Sequence, residues 1–492
     1  MKLSATVVAT TTFAAGADGE LEDVLMGADL LSTTYTIIEE DVDSETGELA
    51  RQIVEKLRGA GYKAWLVGGC VRDRLLDRKP EDYDVATDAL PAQVAALFEG
   101  SCPKGPDYGV VSVRRGEAEV EVVTLRSDHR YQDGRRPLSV TFVDDPRLDV
   151  QRRDFTVNGL LMDPETGEIL DFVGGRADLE ARLIRTIGEP DRRFTEDYLR
   201  MLRAIRLAAV LNFRIEPRTF ESIRRHCRLV SKVSPDRIRI ELVRTLTERG
   251  ARRGMELMDE SGLLAEILPE VARMKGVPQP PEFHPEGDVW THTLLMLDLL
   301  DRREKKPTAT LALGVLLHDV GKPATYRVAD RIRFDEHDVV GAQIAADILR
   351  RLRFSNDEIR QVGALVRYHL RWRHVRQMRE SKLKRFMALD RFDEHLELHR
   401  LDCLASHGGL DNYEFVRRKL AETPPEELKP KRLISGRDLI QMGFRPGPAF
   451  SVILAEVEDA QLESRLTTPE QAREFVLARF EPPEGRRRQE VA

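Results

Sequence analysis

The sequence predicts an α+β chain, a mixed head followed by a long all-α remainder, and three observations carry that reading. Between Gly47 and Arg185, short apolar runs such as KAWLV and YDVAT and the alternating stretch GVVSVRRGEAEVEVVTL follow the two-residue period of half-buried strands, mixed with helical patterns. From Phe194 the apolar spacing changes to three and four, as in EDYLRMLRAIRLAAVL, and stays helical nearly to the C-terminus. At 492 residues the chain exceeds what one core serves, since domains run to about 100–200 residues. Three or four units are expected.

Taken in order, residues 1–45 lack periodicity and read as a flexible acidic extension. Residues 1–50 hold one Lys against eleven Asp and Glu, so the formal charge of −7 hides a body that is slightly basic, at +3. The first twenty residues are weakly apolar with a single Lys and do not read as a secretion signal. Residues 46–185 form the head, with an antiparallel hairpin turning near Gly116. Within it, Ser127–Asp145 is polar and charged and reads as a mobile loop. Residues 186–280 form a helical neck that Pro278, Pro280 and Pro281 terminate. A further unit spans 281–420, and the proline-rich ETPPEELKPKR introduces a helical C-terminal region, 421–492.

Composition excludes several classes. No run of about 20 uncharged apolar residues appears, so no membrane-spanning helix is expected. Cys70, Cys102, Cys227 and Cys403 lack CxxC or zinc-finger spacing, which fits a reducing cytoplasm better than a disulfide framework. Arg224–Arg253 carries ten Lys/Arg against three acids and Arg350–Arg391 thirteen against four, fields that suit a polyanion such as RNA or else two well-solvated helix faces.

LVGGCVRDRLLDRKPEDYDVAT, 66–87, concentrates the chemistry of the head. On a strand, residues i and i+2 share a face about 7 Å apart, so Asp82 and Asp84 project side by side and call for cations. Mg²⁺ prefers such oxygens, and two ions about 3.5–4 Å apart serve phosphoryl transfer. Gly68 and Gly69 follow the run KAWLV and open a turn holding Arg72 and Asp73, which suits a triphosphate or is simply a conformational device. Glu119 and Glu121 share a strand face, and either offers a third carboxylate or faces solvent.

These runs, with VEVVTLRSD, RRDFTVNGLLMDPETGEILDFVGGRADL and RFTEDYLRMLRAIRLAAVLNFRIE, resemble over residues 66–216 the head and neck of the bacterial class II CCA-adding tRNA nucleotidyltransferases and their poly(A) polymerase relatives. The resemblance implies a nucleotidyltransferase (polymerase beta-like) head with a mixed sheet, Mg²⁺ at Asp82 and Asp84, and a nearby acid at Glu121. It implies a phosphate-binding turn at Gly68, Gly69, Arg72 and Asp73, and triphosphate and ribose contacts from Arg152, Arg153, Asp154 and Asn158. Gly159 stands where the family usually has Ala, with little consequence for polar contacts.

Asp197 and Arg200, spaced i,i+3, are expected on one helix face. By itself the pair is an ion pair on a surface. Chemically, a carboxylate only accepts and a guanidinium only donates. Cytosine and adenine each present an amine beside an unprotonated ring nitrogen, whereas uracil and guanine present a carbonyl beside an N–H. The resembled family uses E-D-x-x-R as an amino-acid template for CTP and ATP, which places Glu196, Asp197 and Arg200 in that role and Arg203 and Arg206 in support. The loop at 127–145 resembles the element that such enzymes need when changing from C to A.

Nine of the eleven histidines fall within residues 284–407, a quarter of the chain, and such clustering suggests metal. His292, the His318-Asp319 pair, His337, His369 and Asp402 follow the order and spacing of HD-superfamily phosphohydrolases. That resemblance implies a mono- or dinuclear site for Ni, Mn, Fe or Zn, since imidazole mixed with carboxylate suits these better than Mg²⁺, and a phosphohydrolase activity on a phosphoester such as a 2′,3′-cyclic phosphate. The function implied is CCA addition to the tRNA 3′ end from CTP and ATP. A poly(A) polymerase or A-adding enzyme, and a protein-modifying nucleotidyltransferase regulator, are the alternatives.

Overall fold

The computed structural model describes residues 44–132 and 134–481. All but the last two residues of the acidic extension, and residues 482–492, lie outside the described residues. Ser44 caps α1 (Glu45–Gly59), its hydroxyl accepting from the Gly47 amide at 3.1 Å. The helix buries Leu49, Ala50, Ile53, Val54 and Leu57.

The head contains β1 (Ala64–Val67), α2 (Gly69–Leu75), β2 (Asp84–Thr87), α3 (Pro91–Leu97), β3 (Cys102–Gly105), β4 (Val110–Arg115), β5 (Ala118–Thr124), β6 (Arg126–Gln132), β7 (Arg136–Phe142), α4 (Pro146–Gln151), β8 (Leu160–Met162), β9 (Ile169–Asp171) and α5 (Gly175–Glu180). Seven strands make one sheet in the order β3-β4-β5-β2-β1-β8-β9. It is mixed, because β2 and β5 run parallel while the other neighbours are antiparallel. The expected hairpin is β4–β5, turning through Gly116 at φ +59°. Val67 pairs with Asp84 and Asp84 with Glu121, so the end of β1 and two carboxylates meet at one end of the sheet.

The polar stretch read as a loop is instead, among the described residues, a two-stranded ribbon of β6 and β7. Sequence gives little sign of it because RSDHRYQ has no apolar face for a core, and the pairing itself satisfies the main chain.

The neck comprises α6 (Pro190–Glu196), α7 (Leu199–Leu211), α8 (Pro217–His226), α9 (Pro235–Thr247), α10 (Ala251–Glu260), α11 (Leu263–Ile267) and α12 (Pro269–Ala272). Beyond the prolines come α13 (Val289–Asp301), α14 (Ala309–Leu317), α15 (Lys322–Thr325), a small antiparallel pair Tyr326–Val328 with Ile332–Phe334, α16 (His337–Arg351), α17 (Asn356–Tyr368), α18 (Glu380–Met387) and α19 (Phe392–Ala405). One apolar core runs from the sheet through α7, α9 and α10 into α13, α14 and α17. Residues 433–480 bury a second one around Leu439, Phe444, Ile453 and Val457.

Gly321 fixes one approach in this helical unit. A Cβ there would stand 2.2 Å from the His337 carbonyl oxygen and 2.7 Å from the Gly341 nitrogen, so only glycine lets the start of α16 lie against the segment after His318-Asp319. Among the described residues no helix is long and apolar enough to cross a membrane.

Candidate active sites

The first site sits where β1 ends. Gly68 has φ +82° and ψ −132°, a conformation closed to L side chains, and it turns the chain into α2 beside Asp84. A cavity of about 250 Å³ opens here, lined by Gly68, Gly69, Asp84, Arg152, Arg153, Asp154, Asn158, Asp197, Arg200 and Arg203. The structure thus brings ten of the residues singled out in the sequence to one wall.

The carboxylates differ in position. Asp84 is largely buried, and burial, with the charges of Glu121 and Asp82 nearby, pushes its carboxyl up to about 6 against the pull of Arg153 and Arg203. Asp82 is exposed and precedes β2 rather than lying in it, so the pair is not two positions of one strand. Glu121 faces the same side as Glu119, and Lys104 bridges both at 2.9 and 2.5 Å. Of these three carboxylates only Asp84 lines the cavity, and it offers an oxygen of the kind a divalent cation prefers, with the charges of Asp82 and Glu121 near enough to act on it.

Arginines opposite are pre-positioned by acids. Asp149, only 1% exposed, grips Arg152 at 2.6 Å and Arg153 at 2.9 Å. Burial opposes its ionisation, yet the two guanidiniums hold it below the usual carboxylate range. Asp154 pairs with Arg203 at 2.7 Å and accepts from the Phe155 amide and Asn158. Despite burial, Arg203 and Arg200 hold it at about 2. Arg72 donates to Asn158 at 2.7 Å and pairs with Asp73 at 2.8 Å, so these two brace the 156–158 turn from behind the cavity wall.

The expected helix face holding Asp197 and Arg200 is broken. Asp197 ends α6 with φ −142°, and its carboxylate accepts from the Leu199 amide at 3.1 Å, which starts α7. Asp is favoured at helix starts, so the residue caps the second helix instead of continuing the first. Tyr198 also donates its amide to the Gly134 carbonyl of the β6–β7 ribbon at 3.0 Å. Asp197 and Arg200 still reach the cavity, held by Arg237 at 2.7 Å and Glu196 at 2.8 Å respectively. Glu196 itself is buried among Arg192, Arg193 and Arg200, off the cavity wall. Arg206 lies apart, buried on Glu241 at 2.6 Å.

Sequence reasoning missed Asp149, Lys104 and Arg237. Asp149 carried a signal, an acid three and four residues before two arginines, which on a helix grips both.

The second site gathers His292, His318, Asp319, His337, His369 and Asp402. Ligand atoms of His292, His318 and Asp319 lie within 4.8 Å of one another, as do those of Asp319, His337 and His369, so Asp319 belongs to both sets. His292 Nε2 is 3.2 Å from Asp402. His318 Nε2, His292 Nε2 and Asp319 Oδ1 are buried without a hydrogen bond among the described residues. Buried orphan atoms of this kind are costly unless something else satisfies them.

His318, His337 and His369 place Nδ1 on the carbonyls of Val315, Phe334 and Val366 at 2.9, 2.7 and 2.7 Å, which turns each Nε2 lone pair inward. Burial pushes His369 down to about 3, with His337 and His318 alongside. Burial also disfavours charge on His292, but Asp402 and Glu286 raise it to about 9. Against burial, His318 and Lys322 hold Asp319 far below the carboxylate range, and Lys322 meets it at 2.6 Å. The adjoining cavity is about 860 Å³. Inward Nε2 atoms around a shared carboxylate fit a transition-metal cation.

Residues 64–185 match the model of the poly A polymerase head domain. That match covers the head described above. Residues 212–275 match a model described as a probable RNA and SrmB- binding site of polymerase A, and 289–394 match the HD domain. A CCA-adding enzyme of Levilactobacillus brevis is 40% identical over 219 residues, 44% of this chain and 55% of that relative. One from Lactobacillus johnsonii is 37% identical over 254 residues, 51% of this chain and 64% of its own. The matches therefore span between half and two thirds of these relatives. The Bacillus stearothermophilus CCA-adding enzyme, solved in complex with CTP, superposes with a TM-score of 0.67 at 26% identity over 89% of this chain and 98% of that one. A Thermotoga maritima CCA-adding enzyme, solved with tRNA, shares the fold with a TM-score of 0.54 at 19% identity.

Proposed function

We propose that the chain is a tRNA nucleotidyltransferase that adds C, C and A to the tRNA 3′ end from CTP and ATP without a nucleic-acid template, working in the cytoplasm. One observation carries this reading: a single 250 Å³ cavity has a metal-binding acid, four arginines and the Asp197–Arg200 pair on its wall. Residues 46–185 serve as the catalytic head, 186–280 as a neck for RNA, 281–420 as the HD unit, with a helical region after 421.

Asp82 and Asp84, with Glu121 alongside, would hold Mg²⁺, which supplies Lewis-acid activation of the attacking hydroxyl and neutralises the leaving phosphates. Arg152, Arg153 and Arg203 take the triphosphate, their positions set in advance by Asp149 and Asp154. Asn158, braced by Arg72, faces the ribose. The Asp197 carboxylate accepts from the base amine and Arg200 donates to the adjacent ring nitrogen, which matches cytosine and adenine and leaves uracil and guanine with opposed donors or acceptors. Glu196 holds Arg200 in place for that reading. The 3′-oxygen attacks the α-phosphorus and pyrophosphate leaves.

A second activity, hydrolysis of a phosphoester, is supported by the orphan imidazoles of the HD centre, where Ni, Mn, Fe or Zn would be held. The test for transfer uses purified protein, Mg²⁺ and tRNAs ending before the first C, the second C and the A, with labelled nucleotides singly and combined. Discrete addition of C, C and A is expected. A long A ladder on unrelated RNA would make it a poly(A) polymerase, and label on protein would make it a regulator.

A further inference from the structure

The loop before α13, GVPQPPEFHPEGD, reads in sequence only as a helix breaker, yet it carries two side chains into the HD centre. His318, His337 and His369 each place Nδ1 on a main-chain carbonyl. His292 differs: its Nδ1 meets Glu286 Oε1 at 2.6 Å, and the same oxygen meets His284 Nδ1 at 2.8 Å. A carboxylate oxygen only accepts, so both imidazoles donate from Nδ1, which leaves Nε2 as the atom that can ligate a cation in place of a proton. The His284 ring stands edge-on to His292, centroids 4.9 Å apart, and lines the same cavity as His318 and Asp319. The Glu286 side chain is only 8% exposed, and its Oε2 is buried with no hydrogen-bond partner among the described residues. That oxygen is an uncompensated partial charge, which a cation beside the imidazoles would balance. A merely structural clasp explains neither the bare oxygen nor an imidazole on the cavity wall.

We propose that Glu286 and His284 complete the cation centre: Glu286 positions His292, and His284 offers its Nε2 as a further ligand for a divalent transition metal. This rests on the HD reading above. A carboxylate partner makes an imidazole a stronger donor than a carbonyl does, so His292 and His284 would be the tightest-binding ligands of the set.

Calorimetric titration of the full chain with Mn²⁺, and the ligand-field spectrum of added Co²⁺, read this site without turnover. H284A is expected to lower Mn²⁺ affinity about tenfold or more and to alter the Co²⁺ bands, and E286A to lower affinity about 10–100-fold. E286Q, which still accepts one N–H, should recover part of that loss and is the variant to read where E286A does not fold. H284A and E286Q that fold like the wild type and bind both ions with wild-type affinity and spectrum would overturn the proposal. A wild-type chain that takes up neither Mn²⁺ nor Co²⁺ would instead sink the HD reading, and this inference with it.

Discussion

The two centres of this chain solve opposite electrostatic problems. In the head, fixed cations are held in place: four arginines line the cavity, three of them clamped by Asp149 or Asp154, which on the proposed function leaves little reorganisation for a bound phosphate. In the HD unit the polarity is reversed: buried imidazoles turn Nε2 inward around Asp319 and, among the described residues, leave atoms with no hydrogen-bond partner. The difference teaches that satisfied ion pairs mark a site built to orient a substrate, whereas orphan donors mark a site built to be filled.

That contrast is broken most sharply by removing one centre. Asp84→Ala should cut nucleotide incorporation by about 10²–10⁴-fold, the several kcal/mol that a metal-binding acid contributes, while Mn²⁺ uptake by the HD unit stays at the wild-type level. Parallel loss of both in a folded variant would mean that the centres are not independent.

Gly321→Ala probes the second centre through the main chain. Its Cβ would meet the His337 carbonyl oxygen at 2.2 Å, so a loss of about 3 kcal/mol is expected. Thermal unfolding reads the loss, and weakened Mn²⁺ binding should accompany it.

Acid separates the pair differently. The Asp154 carboxyl, held at about 2 against an ordinary 3.8, contributes stability that is full above about pH 4 and is lost as pH falls through about 2. Chemical denaturation of the wild type and Asp154→Asn should show a gap of about 1–2 kcal/mol at neutral pH that closes across that window. A gap that stays constant would mean that the Asp154–Arg203 pair does not carry it.

The smallest effect expected is on selectivity. Arg200→Ala should reduce discrimination of CTP over UTP by about 10-fold, near 1–2 kcal/mol, read as the ratio of kcat/KM values.

Much of this was legible in the chain. The β1 run, the Gly68–Gly69 turn and the hairpin at Gly116 follow from apolar period and glycine placement, and the histidine clustering pointed to residues that do converge on Asp319. What was not legible depends on contacts between distant segments. The break at Asp197 needs the Gly134 carbonyl of a ribbon more than sixty residues earlier to take the Tyr198 amide. The different tasks of Glu196 and Asp197 depend on which one α6 buries among Arg192, Arg193 and Arg200. Arg206, on the same helix as Arg200 and Arg203, turns to Glu241 because α9 supplies a buried acid there. Glu286 was hidden because a proline-rich loop has no period to show which side chains face inward.

The most direct measurement of the central claim is a crystal structure of the chain with CTP and Mg²⁺. The account predicts the cytosine amine on the Asp197 carboxylate, the ring nitrogen within reach of Arg200, and the triphosphate spanning Arg152, Arg153 and Arg203 beside Asp84. A nucleotide bound elsewhere, with Asp197 and Arg200 making only their present contacts to Arg237 and Glu196, would contradict it.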